Sequence, residues 1–221
     1  MLARWGERIQ RSLRQSLSLG ERYRPVGVDA VIRFYGLGHS NHSFDHSPYE
    51  WLCMTEVQAT KGLAHFLEQD PERIQSFLQA LLPGWGIWSC LEDLRAQAEV
   101  PAGTGRIDLL ITGKANGGIW GAVIEAKFGH KLKTNRLNDY AQYGADIGLR
   151  FDGPQPTGAL LILGRSSGKD VRSRLSRLRK WKWRFVDWST LLRRWEQRPS
   201  PLTGDQEFGR FRRTLWETAH A

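Results

Sequence analysis

The sequence predicts an α/β protein: a mixed β-sheet core flanked by helices, with helical extensions towards both ends. Three observations lead there. Apolar residues recur at helical spacing on both sides of a central stretch. Within that stretch, from Leu91 to Phe128, the pattern changes to that of strands around an Asn116-Gly117 turn. Finally, Gly158 to Gly164 is a short, wholly apolar run of the kind expected of a buried central strand.

Taken in order, Leu2, Trp5, Ile9, Leu13 and Leu17 recur at helical spacing with Arg4, Arg8, Arg11 and Arg14 between them. They predict a basic amphipathic helix over Leu2 to Leu19, ending near Gly20. Gly36 to Tyr49, rich in Gly, His, Ser and Asn, reads as a loop. Thr55 and Gln58 stand at capping-box spacing ahead of Val57, Leu63, Ala64 and Leu67, so a helix is expected over Thr55 to Leu67. Asp70 caps and Pro71 opens a second, with Ile74, Phe77, Leu78 and Leu81 in one stripe and Pro83-Gly84 as its stop. Three strands follow, Leu91 to Val100, Arg106 to Thr112 and Ile119 to Phe128. A helix over Asn135 to Ile147 then leads into the apolar strand Gly158 to Gly164. Lys169 to Lys180 reads as a basic helix with Val171, Leu175 and Leu178 inward, and Trp183 to Val186 as a last strand. Ser189 caps a helix through Trp195, and Pro199-Ser200-Pro201 separates it from a final helix over Gln206 to Ala219.

The 221 residues suit a single domain, and a hydrophobic fraction of 40% is enough for a real core. Its parts are an extension over 1–50, a core over 51–165, and basic helices with an edge strand over 166–221. No apolar run approaches the roughly 20 residues that span a membrane, and the first residues lack the apolar stretch of a secretory signal. The expectation is a soluble, cytoplasmic protein without a membrane partner. The 32 Lys and Arg outnumber the 23 Asp and Glu, a formal charge of +9, which favours a polyanion as partner. A basic balance that serves only solubility is the bland alternative. Cys53 and Cys90 form no CxxC pair, so neither a disulfide framework nor a four-cysteine zinc site is indicated.

Side chains alternate along a strand, so Glu125 and Lys127 share one face while Trp120, Ala122 and Ile124 take the other. On the partner strand Asp108 lies opposite in sense to Ile107, Leu109 and Ile111. The hairpin can therefore set Asp108 beside Glu125 and Lys127, two acids and a cation on otherwise apolar strands. Burying such charges is costly unless they pair or bind a metal. Two carboxylates at short range can hold a hard divalent cation. The cation offsets charge on a phosphoryl group and lowers the pKa of water, and a nearby lysine orients the water and stabilises the developing charge. A structural ion pair on a half-exposed sheet is the competing explanation of the same three residues.

The stretch Gly105-Arg106-Ile107-Asp108-Leu109-Leu110-Ile111, the Asn-Gly hairpin, Val123-Ile124-Glu125-Ala126-Lys127, the following helix with Arg136-Leu137-Asn138-Asp139-Tyr140, and the apolar strand together resemble the PD-(D/E)xK nuclease superfamily. Residues Thr55 to Leu163 look like its restriction-endonuclease-like core of helix, three-strand meander, helix and strand. The resemblance implies metal-dependent hydrolysis of phosphodiester bonds in nucleic acid, DNA before RNA, with Mg²⁺ or Mn²⁺ as cofactor and roles in restriction, phage defence or repair. It implies that Asp108 and Glu125 bind the metal, that the Ala126 carbonyl is a further ligand, and that Lys127 acts in catalysis. Glu56 is the candidate for the extra glutamate that many members carry on the preceding helix, although a carboxylate in a first turn is also favoured by the helix dipole. Ile107 stands where the family name has proline, and Arg136 where related exonucleases have glutamine, while Leu137 and Tyr140 fit. A homodimer is the arrangement that would let such centres cut both strands of a duplex. A catalytically silent DNA-binding module with the same fold is the rival reading.

Lys131, Lys133 and Arg136 are candidate phosphate contacts, or simply a solvated helix start. Arg174 and Arg177, on the basic helix with Arg172, Arg179 and Lys180, are further candidates. Trp181 and Trp183 beside them could stack on bases, but packing in the core is favoured. His39, His42 and His46 suggest at most a weak zinc site or a substrate-contacting loop. No glycine-rich ATP loop occurs.

Overall fold

Thr55 starts a helix in the way its sequence predicts. Its hydroxyl oxygen accepts the Gln58 N–H at 3.2 Å, and the Gln58 side chain accepts the Thr55 N–H at 2.9 Å. This closed capping box satisfies donors that a helix end would otherwise orphan. The computed structural model describes residues 55–85, 90–128, 132, 134–165, 169–176, 178, 180–196 and 206–220. The expected helix over Leu2 to Leu19, the loop holding His39, His42 and His46, and the candidates Lys131, Lys133 and Arg177 lie outside those residues.

Helix α1 (Glu56–Glu68) is followed by α2 (Pro71–Leu81), capped as expected by Asp70, whose carboxylate accepts the Glu72 N–H at 2.9 Å. Strands β1 (Leu91–Ala102), β2 (Gly105–Ala115) and β3 (Gly118–Ala126) follow, then α3 (Thr134–Asp146), β4 (Gly158–Gly164) and α4 (Lys169–Leu175). The order ends with β5 (Arg184–Asp187), α5 (Trp188–Glu196) and α6 (Gln206–His220). Among the described residues five strands form one mixed sheet in sequence order, with β1–β2–β3 antiparallel and β3–β4–β5 parallel. Asn116 (φ 52°) and Gly117 (φ 75°) both take positive φ between β2 and β3, as a tight Asn-Gly hairpin demands.

The sheet divides the apolar interior in two. Leu109, Ile111, Trp120, Ala122, Ile124, Leu161 and Leu163 pack against α1, α2, α5 and α6. Leu110, Val123, Leu160 and Ile162 pack against α3 on the other face, where Val171 and Leu175 of α4 are partly buried. Every residue of β4 is buried, so its apolar run matches a strand covered on both faces.

Three expectations need correction. The basic helix ends at Leu175, not near Lys180. The Ser176 N–H still donates to the Arg172 carbonyl at 3.0 Å and its hydroxyl to the Ser173 carbonyl at 2.8 Å, and beyond the last turn Leu178 packs inward. Helix α5 is capped by Asp187, whose Oδ2 accepts from the Thr190 N–H and hydroxyl at 3.0 and 3.1 Å; Ser189 lies inside the helix. Ile107 does not share the core of Leu109 and Ile111 but packs with Leu137 and Tyr140.

The cause of the last lies across the hairpin. Glu99 of β1 adopts φ 58°, a left-handed conformation uncommon outside glycine. Before it, Ala96 and Ala98 face the α1 side; after it, Val100 and Ala102 face the α3 side. The paired strand β2 changes face with it, and the hairpin tip comes to rest on α3. There Gly103 lies against Asp139 and Gly105 against the Tyr140 hydroxyl.

Gly121, in the centre of β3, shows how tightly the sheet is filled. A Cβ there would stand 2.7 Å from the Ile111 carbonyl oxygen and 3.1 Å from Leu149. Strand propensity alone favours replacing this glycine. The backbone oxygen reverses the sign: Gly121→Ala is expected to lower stability by about 1–3 kcal/mol, read as an earlier urea midpoint.

Candidate active site

Pairing between β2 and β3 ends at Leu109 and Ile124. One further step in that register sets Asp108 opposite Glu125, but a side chain takes over from the ladder. Asp108 Oδ2 accepts the Ala126 N–H at 2.8 Å. On the other side of β3, the Lys127 N–H donates to the Leu163 carbonyl at 2.7 Å, so the main chain that carries the lysine is anchored to β4.

The Lys127 ammonium is surrounded by oxygen. Nζ lies 2.7 Å from Glu125 Oε1 and 2.7 Å from the Ala126 carbonyl oxygen. It lies 3.2 Å from Glu56 Oε2 and 3.5 Å from Asp108 Oδ2. Glu56 arrives from the first turn of α1, and its other oxygen accepts the Phe128 N–H at 2.9 Å. The first-turn carboxylate thus does more than meet the helix dipole, because it ties α1 to the end of β3. The four charged side chains are only 10–16% exposed.

One ammonium among three carboxylates leaves the cluster short of positive charge. Burial, and then the charge of Asp108, push the Glu125 carboxyl up to about 8 despite its bond to Lys127. Its Oε2 is buried without a hydrogen-bond partner. For Lys127, burial disfavours the ammonium, but Asp108, Glu125 and Glu56 outweigh it and the pKa rises above the usual lysine value. Tyr140, buried against the hairpin tip, is raised by burial and by the fields of Glu125 and Asp108.

Five candidates from the sequence therefore meet here: Glu56, Asp108, Glu125, Lys127 and the Ala126 carbonyl. Arg136 lies beside the hairpin tip, where its side chain neighbours Gly105 and its charge acts on Tyr140. Arg174 donates to the Leu132 carbonyl at 3.4 Å, which gives it a structural partner. Trp183 is buried and Trp181 stands edge-on to Phe151, in keeping with core packing. Sequence reasoning missed Glu99. Its carboxylate, paired with Arg106 at 3.1 Å, is raised by burial, with Asp108 adding to the effect against Arg106, Lys61 and Lys127. The pairs on either side of it, Ala98 with Leu109 and Val100 with Ile107, put it across from Asp108. Only its left-handed backbone, invisible in the sequence, marks it out.

Among the described residues no three His, Cys, Asp or Glu side chains stand ready-spaced for a metal ion. The oxygens converge on the ammonium instead, at distances longer than the roughly 2.0–2.6 Å of Mg²⁺ or Ca²⁺ ligands. The donor set nonetheless fits a hard divalent cation: it is all oxygen, it carries excess negative charge, and the buried Glu125 Oε2 is unused. No protein-family model, curated protein or solved structure matches the chain.

The Glu125 shift gives a pH dependence for the metal-free protein. A carboxyl raised from 4.5 to about 8 on folding stabilises the fold relative to its ionised form at low pH. That contribution is lost as pH rises through the folded value. In EDTA, thermal stability should decline between about pH 5 and 9, and Glu125→Gln should flatten the decline. An equally steep decline in the variant would assign the effect to another group.

Proposed function

We propose that this protein is a metal-dependent nuclease of the PD-(D/E)xK type, hydrolysing phosphodiester bonds in nucleic acid, with DNA the first substrate to test. One observation carries the reading: Glu56, Asp108, Glu125 and the Ala126 carbonyl direct their oxygens at a single cationic point, the Lys127 ammonium. The topology accords with it, since a three-strand antiparallel meander followed by a helix and a parallel strand is the core that the resemblance implies. The +9 charge favours a polyanionic substrate.

In this reading Asp108, Glu125, Glu56 and the Ala126 carbonyl hold Mg²⁺ or Mn²⁺. The bound cation would neutralise charge on the phosphate and make water a stronger nucleophile. The chain's own residues do the rest. The Ala126 N–H fixes the rotamer of Asp108, and the Phe128 N–H fixes that of Glu56, so the donors are set before substrate arrives. Lys127 donates hydrogen bonds to the attacking water and to the phosphoryl oxygen as charge develops on it. Arg136, beside the hairpin tip, is a candidate to meet a phosphate flanking the site.

The test is cleavage of supercoiled plasmid and labelled single-stranded DNA in Mg²⁺, Mn²⁺ or EDTA. Wild type should cut only with a divalent cation, and Lys127→Ala should lower the rate by about 10²–10³-fold, as loss of one preorganised donor does. Salt-sensitive DNA binding without cutting, in both proteins, would replace this reading with a binding module on the same fold.

A further inference from the structure

The nuclease reading gives Lys127 a task on the substrate, yet the lysine occupies the middle of the oxygen cage. Its partners are Glu125 Oε1 and the Ala126 carbonyl at 2.7 Å, with Glu56 Oε2 and Asp108 Oδ2 at 3.2 and 3.5 Å. An ammonium and a divalent ion cannot both sit at the focus of the same four oxygens. A hard ion draws such ligands to about 2.0–2.6 Å, closer than the ammonium allows. The cage also has a donor that the ammonium leaves unused, the buried Glu125 Oε2, available to an ion with more coordination positions than the three N–H bonds of a lysine.

Resting on that reading, we propose that the Lys127 ammonium is a built-in occupant of the divalent-cation position. The ion enters only by displacing it, and the displaced lysine is the one that reaches the substrate phosphate. The device has a physical logic. Three carboxylates buried together with no cation would repel one another, and the lysine supplies the missing charge until a stronger one arrives. Loading the ion and releasing the lysine for catalysis are then a single event. The affinity for the ion is held down by what the lysine's contacts contribute. The same residue that promotes the reaction therefore weakens the binding of the ion the reaction requires.

The experiment is titration calorimetry of the full chain with MnCl₂, without nucleic acid, accompanied by melting curves with and without Mn²⁺. Lys127→Met removes the competitor while keeping a side chain of similar length. It should bind Mn²⁺ about tenfold more tightly or better, a gain of about 1.4 kcal/mol or more. It should also melt lower than wild type in EDTA and gain more from the ion. Should Lys127→Met not fold without metal, Glu125→Gln is compared with the double variant Glu125→Gln, Lys127→Met. The same tightening is expected there, at one fewer negative charge. Equal or weaker Mn²⁺ binding on loss of the lysine overturns the displacement and leaves the nuclease reading standing. No binding by wild type or any variant overturns both.

Discussion

The fold closes around one buried ammonium. Lys127 Nζ gathers a helix start (Glu56), a strand that stops pairing (Asp108) and the end of its own strand (Glu125 and the Ala126 carbonyl). The lysine and Glu56 are 71 residues apart in the chain, so the contact exists only because α1 packs on the sheet formed by β1 and β2. Buried ion pairs are weak sources of stability, since desolvation offsets much of the attraction. A cluster with three acids to one base is poorer still as a stabilising device. The cluster sits at the end of β3, where pairing with β2 stops, and the proposed metal site gives it a role that stability does not.

The site depends on an irregularity as much as on the cluster. Left-handed Glu99 costs backbone strain of order 1–3 kcal/mol and turns the β1–β2 hairpin across the sheet. Past it the hairpin leans on α3, and β2 leaves β3 at the point where Asp108 stands. Had the ladder continued, the Ala126 N–H would have been a rung. Instead it holds a carboxylate in place. Strain at Glu99, an interrupted ladder and a cluster of buried charge thus fall at one spot, the kind of coincidence that marks functional sites.

Most of the architecture was legible in the chain because the local signals agree with one another. The capping box at Thr55, the Asp70-Pro71 start, the Asn116-Gly117 turn and the apolar run over 158–164 each force a local geometry, and each appears where expected. The errors fall where contacts that spacing does not reveal decide the outcome. Asp187 out-competes Ser189 as a cap because it closes the strand just before the helix, the basic helix stops at Leu175, and left-handed Glu99 accompanies the turn of Ile107 to the other face. In the site, alternation was enough to associate Asp108 with Glu125 and Lys127. Whether Glu56 joins them, and that Glu99 stands nearby, could not be read from spacing.

By itself, then, the sequence determined which elements form, their order, and which face of β3 carries charge, because these follow from capping chemistry, turn chemistry and the two-residue period of a strand. Tertiary structure alone decided that the hairpin crosses to α3 at Glu99, that β2 and β3 part at Asp108, and that Glu56 reaches over to Lys127. Those outcomes depend on how helices lie on a twisted sheet and on how buried charges settle among the partners they find there. No local pattern encodes either, because both are balances struck between segments far apart in the chain.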